Sequence, residues 1–254
     1  MTERHRLRAV GTLAYMNGIV PIRVQPLYLI GVVASPLAFL FFIFIASRGQ
    51  YTTFGIAGGL LLTVLSIGTS LQTDISHYKQ DLKFHDVLVA SPVEAPAYVA
   101  GLALSELLYA TPGIAIFVLF WALAKGSTLS VITGLQAAGV LLLVWAFGSA
   151  LGFTIATYFA DVRETFAVSP LISLGLSTLP PVYYPLSLLQ QNVPQFAFLA
   201  YLAPTTYPAQ LLQNIFGLIP ALSWETQLVD WLVLLGFTAG LFLLAALRSR
   251  WRDV

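Results

Sequence analysis

Six stretches of this sequence run for about twenty residues almost without charge, the length a helix needs to cross the hydrocarbon core of a bilayer. They are Leu27–Ala46, Phe54–Leu71, Ala97–Ala124, Val131–Phe159, Ala167–Leu189 and Leu228–Leu247. Only two acids fall inside them, Glu106 and Asp230. Charged residues make up 9% of the whole chain, whereas a soluble domain carries roughly 25%. A chain so poor in charge lacks the material for a wetted surface and needs a second, apolar solvent. The expected fold is therefore an all-α integral membrane protein, with residues 1–254 forming one transmembrane domain.

A seventh apolar stretch, Phe196–Leu222, is broken by Pro204, Pro208 and Pro220. Charge placement decides how it is counted, because cytoplasmic flanks are enriched in Lys and Arg. Six spans put ten of the 12 basic residues on one side and leave only Arg48 and Lys125 on the other. A seventh span would carry Arg248, Arg250 and Arg252 across. Six spans with both termini in the cytoplasm are expected, and residues 190–226 then lie on the outer face. Irregular backbone at membrane depth must rest against protein or the interface, so this segment is read as short re-entrant helices before the last span.

Residues 1–25 are too polar to span and do not resemble a cleaved signal peptide. Arg4, Arg6, Arg8 and Arg23 flank Leu7, Val10, Leu13, Ala14 and Tyr15. That pattern predicts an amphipathic helix along the inner leaflet. Residues 72–96 are the most polar internal segment and are expected to hold a short cytoplasmic helix ending before Ser91-Pro92, since proline disfavours helix in the residue before it.

Catalytic chemistry is missing. No Gly-x-x-x-x-Gly-Lys-Ser/Thr loop is present to cradle a nucleotide. The three histidines, His5, His77 and His85, all fall in segments expected outside the membrane, so neither a Ser–His hydrolase nor an intramembrane zinc site is supported. His77 and His85, with Asp81 and Asp86, match no ligand spacing, and no metal is expected. A net charge of +1 argues against a nucleic-acid partner, and the absence of cysteine removes disulfide and thiolate chemistry.

Within the membrane, Glu106 is the conspicuous group. An ionised side chain at that depth is costly and marks a functional candidate; its simpler reading is a carboxyl hydrogen-bonded to a neighbouring helix. Asp230 lies near the outer end of its span and is expected to reach water. Tyr183, Tyr184 and Tyr207 gather at the outer boundary among prolines. They read equally as an aromatic belt or as the lining of a gate formed by broken helices.

Three short stretches carry a family resemblance. Val87-Leu88-Val89-Ala90-Ser91-Pro92-Val93, Tyr183-Tyr184-Pro185-Leu186-Ser187 with Pro194, and Ala203-Pro204-Thr205-Thr206-Tyr207 resemble motifs of the permease subunit of type-2 ABC exporters. The layout of interfacial helix, six spans, coupling helix and re-entrant helices is similar over the whole chain. The chain departs from the family pattern at Lys83-Phe84, where Gly-Thr is frequent, at Pro180-Pro181, where Ser-Gly is frequent, and at Gln213, where Arg is frequent. The resemblance implies a plasma-membrane protein of a prokaryote, working as a homodimer or heterodimer with a second permease copy and two ABC ATPase subunits. ATP and Mg would be bound by those subunits and no cofactor by this chain. It implies ATPase coupling through Lys79, Asp81, Leu82, Lys83, Phe84, His85 and Asp86. It also makes Glu106, Tyr183, Tyr184 and Tyr207 candidates for the pathway or gate. The low charge of the spans favours a hydrophobic or amphipathic substrate. The competing class is a secondary transporter or channel without an ATPase.

The cysteine-free background makes the topology directly testable. His5→Cys and Arg250→Cys should react with a membrane-impermeant thiol reagent only from the cytoplasm, and Gly126→Cys only from outside. External labelling at position 250 would overturn the six-span reading.

Overall fold

The computed structural model describes residues 3–24, 27–80, 95–126, 130–159, 162–178 and 180–248. Among these the regular structure is helical throughout. An amino-terminal rod comprises α1 (Glu3–Ala14), a π-helical turn (Tyr15–Ile19) and α2 (Val20–Val24). Long helices follow: α3 (Tyr28–Ala46), α4 (Thr52–Gln80), α5 (Ala95–Lys125), α6 (Val131–Tyr158) and α7 (Val162–Thr178). Three short helices, α8 (Leu186–Asn192), α9 (Ala197–Leu202) and α10 (Thr206–Ile215), precede the long α11 (Trp224–Arg248).

Among the described residues, four helical segments are long and apolar enough to cross a membrane: Thr52–Ser76, Ala97–Lys125, Val131–Tyr158 and Trp224–Leu247. They coincide with four of the six stretches read from the sequence. The first and fifth stretches hold shorter apolar helices, Pro36–Ala46 and Ala167–Ser177. In the fifth, helix does not continue to Leu189. It ends at Thr178, and residues 180–184 form an irregular bend before α8. Proline lacks the N–H that a helix interior requires and its ring clashes with the preceding turn, so Pro180-Pro181 cannot extend α7.

α4 is the central pillar. Of its apolar window 89% is buried against other parts of the chain, compared with 22% for α5 and for α11. Such burial is possible because α4 is rich in small residues. A Cβ at Gly68 would lie 2.9 Å from the Trp145 carbonyl oxygen and the Ser149 nitrogen. From the other side, a Cβ at Gly148 would lie 2.9 Å from the Leu65 oxygen, and one at Gly152 would lie 2.8 Å from the Thr69 oxygen. α4 and α6 therefore meet backbone to backbone. In a bilayer, where lipid tails are as apolar as leucine, close packing of this kind is a main source of helix association. Towards α5, Gly59 receives the ring of Phe117, which is fully buried. Towards α3, Gly55 faces Leu40 and Ile43.

The remaining elements pack around this centre. α11 lies on α6, where Thr154 Oγ1 donates to the Leu241 oxygen across 3.1 Å. Trp145 of α6 donates through Nε1 to the Ala103 oxygen of α5 at 3.0 Å. The amino-terminal rod packs along α5, with Leu13 against Gly101 and Gly18 against the Ser105 backbone, while Arg4, Arg6 and Arg8 stay exposed. Outward faces carry exposed apolar side chains such as Phe41, Phe42, Leu119, Leu135, Leu232 and Leu243, as a lipid-facing surface requires.

Candidate functional site

The residues singled out from sequence fall into three places. Of the coupling group, Lys79 lies in the last turn of α4, and its side chain is outside the described residues. Asp81, Leu82, Lys83, Phe84, His85 and Asp86 also lie outside the described residues. α4 itself runs through the first part of the polar segment as far as Gln80, with Gln72 and Ser76 buried.

Glu106 sits on α5 facing α4. Its carboxyl accepts a hydrogen bond from Ser70 Oγ at 2.5 Å and is hydrogen-bonded to the side chain of Asp74. Ser70 and Asp74 are four residues apart on a helix, so they share one face and grip Glu106 together. Chemically the arrangement is a cross-brace between the second and third apolar stretches, satisfied within the protein. Asp74 was not among the residues singled out. Its position in a polar stretch disguised it, although its spacing from Ser70 is the signal that marks it.

Asp230 is a correction. Instead of reaching water it is 3% exposed, and its Oδ2 has no hydrogen-bond partner among the described residues. α11 starts at Trp224 and lays this face on α6 and α10, which excludes solvent from it.

The aromatic group divides between two settings. Tyr183 is buried, stacked on Phe39 with ring centroids 5.4 Å apart. It lies over Gly58, where a Cβ would come within 2.7 Å of both its ring and the Val182 oxygen. The Tyr183 hydroxyl has no hydrogen-bond partner among the described residues. Tyr184 follows, half-buried at the end of the bend. Tyr207, in the first turn of α10, turns elsewhere and donates to the Tyr201 oxygen at 2.7 Å.

What organises the bend is Gln213, noted in the sequence only as a departure from the family pattern. It is 1% exposed. Its amide donates to the carbonyl oxygens of Pro181 and Tyr184 at 3.0 and 3.2 Å, and lies 3.5 Å from that of Val182. The bend cannot satisfy these carbonyls through its own backbone, because three of its residues from 180 to 185 are prolines and lack the N–H. Buried carbonyls without donors are costly, and a two-donor amide is well matched to the need. Thr205 adds a second tie, donating to the Leu176 oxygen near the end of α7 at 2.6 Å. The departures Pro180-Pro181 and Gln213 from the family pattern are thus two halves of one local structure.

This division yields a prediction. Gln213→Leu strands at least two carbonyl oxygens at about 1–3 kcal/mol each and should lower the thermal midpoint of the purified protein by several degrees. Tyr183→Phe removes only an unpartnered hydroxyl and should leave the midpoint unchanged or raise it. Intrinsic-fluorescence melting in detergent checks both; a Tyr183→Phe loss as large as that of Gln213→Leu would show that the hydroxyl has a partner.

A family model described as ABC-2 type transporter, membrane domain, matches residues 13–216. The matched region takes in the second half of the rod, the α4 pillar, the Glu106 brace, the proline bend and Gln213. No curated protein matches the chain. The matched family supplies a membrane component of transport and not a catalytic domain, in keeping with the helical bundle and its apolar exterior. This chain belongs to the ABC-2 type transporter membrane family, as the permease component of a type-2 ABC transporter.

Proposed function

We propose that the chain is the membrane-spanning subunit of an ATP-driven exporter that moves a hydrophobic or amphipathic molecule. It pairs with a second permease copy and binds two separate ATPase subunits, which hold ATP and Mg. Permeases of this family generally work with ATPase partners; export, stoichiometry and substrate class belong to the proposal. Both termini and the segment after α4 face the cytoplasm on this reading, and residues 190–226 re-enter from the outer side.

The observation that carries it is the course of α4. This most enclosed helix continues past its apolar window, which ends at Ser76, to Gln80. It thereby leads without a break from the proline bend at Gly58 to the polar segment holding Phe84. A push on that segment is delivered to the pillar on which α3, α5, α6 and the bend all pack. Nucleotide acts by differential affinity for inward and outward states.

Phe84 is the aromatic anchor of the coupling segment, and such anchors at interfaces are commonly worth about 2 kcal/mol or more. Phe84→Ala should weaken capture of the ATPase by at least tenfold and uncouple hydrolysis from transport, with membrane insertion unchanged. Pull-down and substrate-stimulated hydrolysis measure this; unchanged association returns Phe84 to packing against the bundle.

A second reading is favoured by one observation, the juxtaposed carboxyls of Asp74 and Glu106: a proton-coupled carrier without an ATPase. Glu106→Gln separates the two. The amide still accepts from Ser70 and donates to Asp74, so an exporter in which Glu106 braces α5 should keep its transport rate within a few fold. Abolished transport with normal insertion, together with a steep pH dependence of the wild type, would instead establish proton coupling.

A further inference from the structure

Asp230 is a buried acid that the reading above leaves unused. It lies on the stripe of α11 that also buries Leu234 and Thr238, and its Oδ2 has no hydrogen-bond partner among the described residues. α11 packs on α6 and α10, and neither of those helices carries a charged residue anywhere along its length. Between Glu164 and Glu225, the stretch that supplies the bend and the short helices, the chain holds no charge at all. Lys125, the base that precedes α6, lies over the Trp121 ring, with Nζ 5.7 Å from its centroid. The elements around Asp230 therefore supply no counter-charge.

Two phenols stand by instead. Burial first, and then the proximity of Asp230 and of Tyr201, push the Tyr207 hydroxyl above its ordinary range. The carboxyl and the two phenols thus form one electrostatic cluster where α9, α10 and the start of α11 meet. The hydroxyls are occupied elsewhere. That of Tyr207 donates to the Tyr201 backbone oxygen at 2.7 Å, and that of Tyr201 accepts from Gln190 Nε2 at 3.1 Å. Gln227, a turn before Asp230, donates to the Leu222 oxygen at 2.9 Å. Tyr207 is half-buried and Tyr201 exposed, so the cluster reaches the surface through its aromatic members.

A buried carboxylate without a counter-charge is strongly unfavourable. Protonation removes the charge and still leaves Oδ2 without a partner. A hard metal ion asks for several oxygen ligands, and no group of acids and histidines among the described residues could hold one. What suits a single carboxylate in apolar surroundings is a single positive charge on an apolar body, and aromatic rings favour the same ligand, since their faces attract cations. We propose that Asp230 is the anchoring carboxylate of a binding site for a lipophilic amine, whose ammonium group pairs with it beside Tyr207 and Tyr201. For its use in transport the site rests on the exporter reading, which it deepens by making the amphipathic substrate a cationic one.

Calorimetric titration of the purified permease in phosphatidylcholine nanodiscs tests this, with octylamine, protonated at neutral pH, as the probe. 1-Octanol is the uncharged control of the same length, and empty nanodiscs give the lipid background. Wild type should bind octylamine saturably above that background and 1-octanol not at all. Asp230→Asn keeps the size and removes the charge. It should weaken octylamine binding roughly tenfold or more, the scale of losing one partner of a buried charge pair, with an unchanged gel-filtration profile. Asp230→Glu, which keeps the charge, should bind within a few fold of wild type. Equal binding of amine and alcohol by wild type overturns the proposal. So does an Asp230→Asn variant that binds octylamine as wild type does, or a wild type that shows no saturable binding, either of which would leave Asp230 as a protonated packing group. The assay contains no ATPase, so a failure of the exporter reading leaves a positive binding result standing. ATP-driven transport of an uncharged substrate without octylamine binding would remove this site and keep the exporter.

Discussion

The glycine-lined contact between α4 and α6 is the constraint on which the rest of the bundle depends. Gly68, Gly148 and Gly152 let the two backbones approach to where a Cβ on either would meet a carbonyl within 3 Å. Helices in a bilayer gain little from hydrophobic expulsion, so intimate van der Waals contact has to supply the attraction. Because α4 is gripped this closely on one side, its other faces become fixed platforms. Gly55 receives α3, Gly59 receives Phe117 of α5, and Gly58 receives the Val182–Tyr183 backbone and ring. Gln72 and Ser149, whose backbones line the same seam, each hold a buried side-chain oxygen without a partner among the described residues. Such atoms carry a desolvation cost, which the packing of this contact has to outweigh.

The proline bend shows how irregular backbone can exist in an apolar setting. Away from water, non-helical chain survives only where protein groups replace the lost hydrogen bonds. Here the replacement comes from a single amide on α10, helped by Thr205 at the preceding turn. α10 is consequently more than a connector to the last span. It closes the carbonyl face of the bend, while Thr206 of the same helix donates to the Ala200 oxygen and Tyr207 ties it to α9. The short helices before α11 form one hydrogen-bonded unit hung from the end of α7.

Much of this architecture was legible in the sequence, and what was not has a physical cause. Long uncharged runs announce spanning helices because length and apolarity are local properties, and four of them stand as read. The fifth was read as a single span although its prolines were noted; where the helix stops depends on the backbone of Pro180-Pro181. Gln213 could not be identified as a clamp, because its role is defined by carbonyls about thirty residues away in sequence. Asp230 was misplaced because depth along a span says nothing about which neighbour covers a face. Glu106 was recognised as unusual and its structural reading anticipated a helix–helix hydrogen bond, which Ser70 of the second stretch supplies; Asp74 beside it was hidden in a segment assigned to the water. The amino-terminal rod was read as amphipathic from its arginines; that it rests on α5 follows from Gly101 and Gly18, whose meaning emerges only when the two helices meet.

The two seams of α4 differ in kind, and that difference bears on how motion passes through the bundle. Against α6 the contact is backbone on backbone, with no flexible side chain between, so displacing α4 alone brings hard atoms together or opens a void; interiors packed this way resist continuous deformation. Against α5 the contact includes the Phe117 ring and the Ser70–Glu106–Asp74 brace, whose hydrogen bonds can lengthen or re-form as side chains turn. The α4–α6 seam is therefore the stiffer of the two, and the α5 side, which Trp145 of α6 also ties to Ala103, the more adjustable. α11 is tied to α6 through Thr154, and the proline bend rests on α4 at Gly58 and is tied to α10 through Gln213.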